Sequence, residues 1–243
     1  MTARKNQVFE RALAPEIFEV AFRIATSGQP FADQRQLLSV ALRDYTTEQE
    51  AQDKTKKLLT RVWINPPPEA LPLIQWALAN PEQFPDRRVM HLGALLATFP
   101  FVGSVASVLG RAFAIDGAIR GPELKKRIVA TWGARKTVEF GVVKTAGMLR
   151  KFEIVSGGGL KPMFGGSVLE APGAIASWLV HALILTRLQQ SMDAATVADA
   201  AELFWARLGP LAGSYPWLES HREGGGRQVY LIRNCPGRLA PLR

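Results

Sequence analysis

Cysteine is almost absent from this chain: one residue, Cys235, in 243. A lone thiol closes no intramolecular disulfide, so the fold has to rest on a packed core, and a reducing, cytoplasmic compartment is expected. Histidine is nearly as scarce. His91, His181 and His221 lie far apart, and none stands at metal-ligand spacing from Cys, Asp or Glu, so no metal site is expected. There is no G-x-x-x-x-G-K-[ST] phosphate loop and no G-x-S-x-G nucleophile elbow. Gly157-Gly158-Gly159 is flanked by strand formers on both sides instead of opening a helix, which removes a dinucleotide fingerprint. Asp116, Glu123, Glu139 and Glu153 show no spacing suited to a two-metal nuclease site. No catalytic residue and no cofactor is therefore expected. Met1 to Glu10 lacks the apolar run of a secretory signal.

What is present is ordinary globular material. Hydrophobic residues make up 47% and charged residues 21%, enough to bury a core over one large or two ordinary domains. Leu92 to Gly110 is 19 residues without a charge, the length of a membrane span. Pro100, Gly93, Gly103 and Gly110 dilute its apolarity, and a proline disfavours helix at the residue before it. Two shorter buried helices divided at Thr98–Pro100 are the preferred reading of this stretch, with a span at 92–110 as the minor one.

Charge is unevenly placed. The chain carries +9 formally, and residues 111–165 hold 11 basic against 4 acidic side chains, a net of +7. Residues 1–110 come to +1, 166–206 to −3 and 207–243 to +4. Lysine and arginine suit any solvated helix, but concentration of this kind fits an anionic partner such as a phosphate backbone.

The basic segment has a readable local plan. Pro122 fits the first position of a helix through Trp132, with Leu124, Ile128, Val129 and Trp132 on one face. Gly133-Ala134 turns the chain. A second helix, about Thr137 to Lys151, puts Val138, Val142, Ala146 and Leu149 inward and Lys136, Phe140, Lys144 and Lys151 on the opposite face. Phe152–Val155, a Ser-Gly-Gly-Gly turn and Leu160–Phe164 then read as a hairpin, its second strand confined to an edge by Pro162. Helix, turn, helix and hairpin in this order resembles the winged helix-turn-helix family, over about a fifth of the chain. The resemblance implies that the second helix enters the major groove of duplex DNA. It implies Arg135, Lys136, Phe140 and Lys144 facing the groove and Lys161 on or beside the wing. Lys125, Lys126, Arg127, Arg150 and Lys151 would then position the protein on phosphates.

Around this segment the chain reads as helical. Residues 1–85 give helices at Pro15–Ala25 (Ile17, Val20, Ala21 and Ile24 apolar), from Asp33 to near Tyr45 (Leu37, Leu38, Ala41 and Leu42 inward), Glu48–Trp63 and Glu69–Ala79, with Asn65-Pro66-Pro67-Pro68 as the firmest break. After the hairpin come a strongly apolar helix, Ala174 to about Gln190, and a helix capped by Asp193 over Ala194–Leu208. A hairpin, Trp217–Glu223 and Arg227–Arg233 around Gly224-Gly225-Gly226, follows. Two helices and a hairpin echo the same plan, so a second winged helix is one reading of this end. The fold class expected is mainly α: a helical domain at 1–85, a winged helix-turn-helix domain at 86–170, and a C-terminal helical domain with a β-hairpin at 171–243.

The expected function is non-enzymatic binding of double-stranded DNA, weakly specific or shape-directed, because the presumed reading face is short of Asn, Gln and Ser. The N-terminal helices are expected to serve a protein partner or self-association. The alternative is a structural or adaptor subunit of a multi-protein DNA-processing or phage-defence complex, using the winged helix for protein contacts.

Overall fold

The fold, a computed structural model, describes residues 7–233; Cys235 and the tail after Arg233 lie outside the described residues, as do the first six. It is mainly α-helical with small sheets. The N-terminal half is helical throughout: α1 (Pro15–Ala25), α2 (Phe31–Arg43), α3 (Gln49–Leu59, continued by a π turn, Thr60–Ile64), α4 (Leu71–Ala79), α5 (Arg87–Thr98) and α6 (Pro100–Asp116). The basic segment supplies α7 (Gly121–Trp132), α8 (Lys136–Lys151), β1 (Val155–Gly157) and β2 (Met163–Gly165). The C-terminal part contains β3 (Leu169–Ala171), α9 (Ala174–Thr186), β4 (Ser191–Asp193), α10 (Ala194–Ala198), β5 (Ala206–Leu208), β6 (Leu218–Arg222) and β7 (Gln228–Ile232).

The uncharged run divides as its proline requires. Pro100 takes the first position of α6, where a missing N–H costs nothing, and the chain bends by 115° between α5 and α6. Both helices are largely buried. Among the described residues no single helix is long and apolar enough to cross a membrane, although this bent pair passes by length and composition.

The middle of the core is α9, all thirteen residues of which are buried. It crosses α5 so closely that a Cβ at Gly93 would lie 2.1 Å from Trp178 Cζ3. It approaches α6 at Gly103, where a Cβ would lie 2.0 Å from Thr186 Cγ2. Its buried indole and threonine hydroxyl are both paired: Trp178 Nε1 donates to Leu73 O at 2.9 Å and Thr186 Oγ1 to Leu96 O at 2.7 Å. The buried apolar side chains form one continuous cluster from Phe9 to Tyr230, running through all three segments outlined from sequence.

Several expectations are corrected. Leu37 is exposed, and on α1 the buried positions are Phe18, Ala21 and Phe22, because the helix turns its aromatic side inward. The helix expected over Ala194–Leu208 stops at Ala198. Asp193 does cap it, accepting from Thr196 N at 2.9 Å. Beyond that cap, tertiary packing overrides propensity. Glu202 is turned to a bidentate pair with Arg187 (2.9 and 2.8 Å), and Ala201 O packs against α6 at Gly110. The chain then enters β5, parallel to β3. With that helix cut short, the C-terminal end does not repeat a helix–helix–hairpin plan. Its hairpin β6–β7 instead takes β4 as a third strand, in the order β4-β7-β6.

Candidate nucleic-acid interface

The basic segment folds in the expected order, and each boundary has a local cause. Gly117, in the left-handed region at φ 71°, ends α6. Ile119 then pairs with the hairpin: its N–H donates to Met163 O at 3.0 Å, and Met163 N–H donates to Ile119 O at 2.8 Å. Pro122 enters α7, and Gly133, at φ 87°, allows the turn into α8. Glu153, a non-glycine residue at φ 63°, swings the chain from α8 towards β1. β1 and β2 pair antiparallel, with Ser156 opposite Phe164. The expected strand at Phe152–Val155 is thus displaced. Phe152 and Glu153 belong to the helix exit, and pairing begins at Val155. The second strand likewise starts at Met163, not Leu160.

The inward faces are apolar. Leu124 and Ile128 of α7 and Val138, Val142, Ala146 and Leu149 of α8 are buried, as their spacing predicts. Trp132 is half-buried, edge-on to Phe101 of α6 with ring centroids 5.0 Å apart. The N-terminal segment lies on α8 as well: a Cβ at Gly141 would meet Val8 Cγ1 at 2.2 Å, and one at Gly147 would meet Ala12 Cβ at 3.3 Å.

The outward side carries the cations. Lys126, Arg127, Arg135, Lys136, Lys151 and Lys161 are exposed, whereas Lys125, Lys144 and Arg150 are half-buried. Phe140 is 50% exposed, and Lys144 Nζ sits 4.7 Å from its ring centroid, a cation–π contact that fixes both side chains on the outer face of α8. Val143, 58% exposed beside them, was not among the residues expected here. Its sequence position, one turn from Phe140 and next to Lys144, was the available signal.

The acidic side chains of the segment are mostly neutralised. Glu123 Oε1 is 2.8 Å from Arg127 Nε, and Glu139 Oε2 is 3.3 Å from Lys125 Nζ across the helix pair. Hydrogen bonding from Arg127 holds the Glu123 carboxyl below its ordinary pKa. Glu153 is drawn to Arg88 of α5 at 2.7 Å, the same guanidinium that Asp86 holds. Lys125 and Arg127 are therefore charge-balanced locally. Lys126, Arg135, Lys136, Lys144, Arg150, Lys151 and Lys161 have no carboxylate within ion-pair distance among the described residues. The i,i+4 spacing of Glu123 and Arg127 is a local signal for the first pair, which was not among the expectations from sequence. The Lys125–Glu139 and Arg88–Glu153 pairs depend on helix packing and left no local sign.

Behind this face, α6, α7 and the end of α9 enclose an open groove of about 430 Å³, with Ser104, Ser107, Arg111, Arg127 and Thr131 among its lining residues. Its hydroxyls are engaged close by: Ser107 Oγ accepts from Arg111 at 2.8 Å, and Ser104 Oγ donates to Pro100 O at 3.2 Å.

The histidines form no shared site. His91 is buried, with Nε2 3.3 Å from Glu19 Oε2, and burial pushes its imidazole below the ordinary value. His181 Nδ1 and Tyr215 Oη are 2.6 Å apart in the core, and His221 pairs with Glu219 at the surface. Among the described residues no group of three or more His, Cys, Asp or Glu side chains could hold a metal ion. Comparison of the chain with family models, with curated proteins and with solved structures finds no match.

Proposed function

We propose that this chain is a non-enzymatic protein that grips duplex DNA through residues 86–170, used as a winged helix-turn-helix. The observation that carries this reading is the sorting of charge on the helix pair and hairpin. Glu123, Glu139 and Glu153 are each paired with a cation, while Lys126, Arg135, Lys136, Lys144, Lys151 and Lys161 have no carboxylate partner among the described residues. Unpaired surface cations on one element are what a phosphate backbone neutralises, releasing its condensed counterions. The Ile119–Met163 bridge adds support, because it joins the short link before α7 to the hairpin and so ties the wing to the helix pair.

In this reading α8 is the groove-facing helix. Lys136, Phe140 and Lys144 reach into the groove with Arg135 at its N-terminal end, and Lys126, Arg150 and Lys151 hold phosphates. Lys125 and Arg127 take a smaller part, being already paired. The face offers lysine, phenylalanine and valine, and no amide side chain to read adenine, which favours binding by shape over binding by sequence. The protein-adaptor reading draws on the exposed apolar side chains Phe140 and Val143.

The test is binding of a labelled random-sequence duplex across a salt series, with the Lys136→Glu/Lys144→Glu variant alongside. Binding that weakens steeply with salt and is largely lost in the variant supports the proposal. No binding by the wild type at low salt refutes it and turns attention to protein partners for the same face.

A further inference from the structure

Leu160 is the most exposed of the large apolar side chains described, at 101% of its reference area. It stands on a built turn. Lys161 N–H donates to Gly158 O at 3.3 Å, closing the turn Gly158–Lys161, and Gly158 N–H donates to Pro162 O at 3.3 Å. Of the two central residues only Gly159 has positive φ, 69°, the pattern of a type II′ turn, so Leu160 occupies its third position. Arg150 braces the tip from α8. Its Nη1 donates to Gly157 O at 3.2 Å, and a Cβ at Gly158 would lie 1.9 Å from that nitrogen.

Turn chemistry accounts for the glycines and not for the leucine. Most residues fit the third position of such a turn, and polar ones are the usual choice where it faces water. A leucine held out by a braced hairpin, with Lys161 and Pro162 directly after it, has the composition of a minor-groove wedge. Such wedges place an apolar side chain between base pairs while a neighbouring cation meets the backbone.

We infer that Leu160 is such a wedge: when α8 lies on a duplex, the hairpin tip enters the adjacent minor groove, and Leu160 parts one base step and kinks the DNA. This inference rests on the duplex-binding reading above and adds an activity to it, namely deformation of the bound DNA. The kink falls in the range of about 20–90° known for apolar wedges, and flexible pyrimidine–purine steps such as TA are its preferred sites. Shape-directed selection then arises without any amide reading a base.

The test uses the full chain and a short duplex with a donor and an acceptor dye at its ends and 2-aminopurine at a central TA step. Anisotropy reports binding, energy transfer reports bending, and 2-aminopurine brightens on unstacking. The wild type and Leu160→Met are expected to bind, raise energy transfer and brighten the probe. Leu160→Ala, which alters a fully exposed side chain, is expected to bind several-fold more weakly and to lose both optical changes. Wild-type binding with neither change, or a Leu160→Ala variant that bends as the wild type does, overturns the wedge while leaving duplex binding in place. The first of these outcomes points to a protein as the occupant of the tip. A flat anisotropy signal at low salt overturns both readings together.

Discussion

Gly93→Ala adds one methyl group and is expected to destabilise the protein severely for its size. The new Cβ would lie 2.1 Å from Trp178 Cζ3, 2.5 Å from Cη2 and 2.9 Å from Leu179 Cδ2, so the ring must move. Trp178 has little room to do so. It is fully buried, its Nε1 donates to Leu73 O at 2.9 Å, and Phe84 packs edge-on at 5.1 Å. Over-packing a filled core costs about 1–3 kcal/mol, and leaving the indole N–H unpaired about 1–3 kcal/mol more. Replacing glycine by alanine within a helix returns about 1 kcal/mol. The net expectation is a loss of about 1–5 kcal/mol, read as a lower midpoint in urea unfolding with an unchanged slope. Gly147→Ala is the control, since its Cβ would lie 3.3 Å from Ala12 Cβ in the half-buried N-terminal segment. That variant should be neutral or gain up to about 1 kcal/mol. Equal midpoints for Gly93→Ala and wild type would refute the tight crossing of α5 and α9.

Two further outcomes follow from the charges. Lys136→Ala/Lys144→Ala should flatten the dependence of log affinity on log salt by about 1.8, at about 0.9 for each phosphate no longer neutralised, so that raising salt from 50 to 200 mM costs the wild type about twelvefold more affinity than the variant. Lys125→Ala/Arg127→Ala should leave the slope nearly unchanged because Glu139 and Glu123 already balance those cations; an equal flattening in an anisotropy titration would contradict that assignment. Thermal stability should fall on acidification, in two stages. Below about 6.5 the unfolded chain takes up a proton that buried His91 resists, and nearer 4.5 and below the stability that comes from the depressed Glu19 carboxyl is lost too. Calorimetry from pH 7 to 4 checks the sign, and His91→Gln should remove the upper stage.

Much of this architecture is written in short-range signals. Pro100 and Pro122 mark helix starts, Gly117 and Gly133 mark turns, and the apolar density of Ala174–Thr186 marks the central helix. The outward face of α8 followed directly from the spacing of Lys136, Phe140 and Lys144. What escaped a linear reading depends on partners distant in the chain. Residues 199–205 have good helical composition, yet Arg187 and Gly110 hold them in a different path. β3 and β5 are three residues each and pair in parallel across more than thirty positions, too short to register as periodicity. Ile119 is a single bridging residue whose role exists only once Met163 lies beside it. Lys125 offers no clue that it faces Glu139, because the pairing requires α7 and α8 to be folded against each other.

The N-terminal segment lying on α8 makes the unit proposed to grip DNA a poor candidate for a portable cassette. Val8 fills the space over Gly141, and Ala12 lies over Gly147 near the end that carries Arg150 and Lys151. A fragment cut at the proline-rich break would keep every cation proposed to touch DNA and still strip the cover from the helix that presents them. The angle at which α8 would meet a groove is therefore set partly by residues more than a hundred positions earlier. Anything that grips the start of the chain acquires a lever on that angle without approaching the duplex.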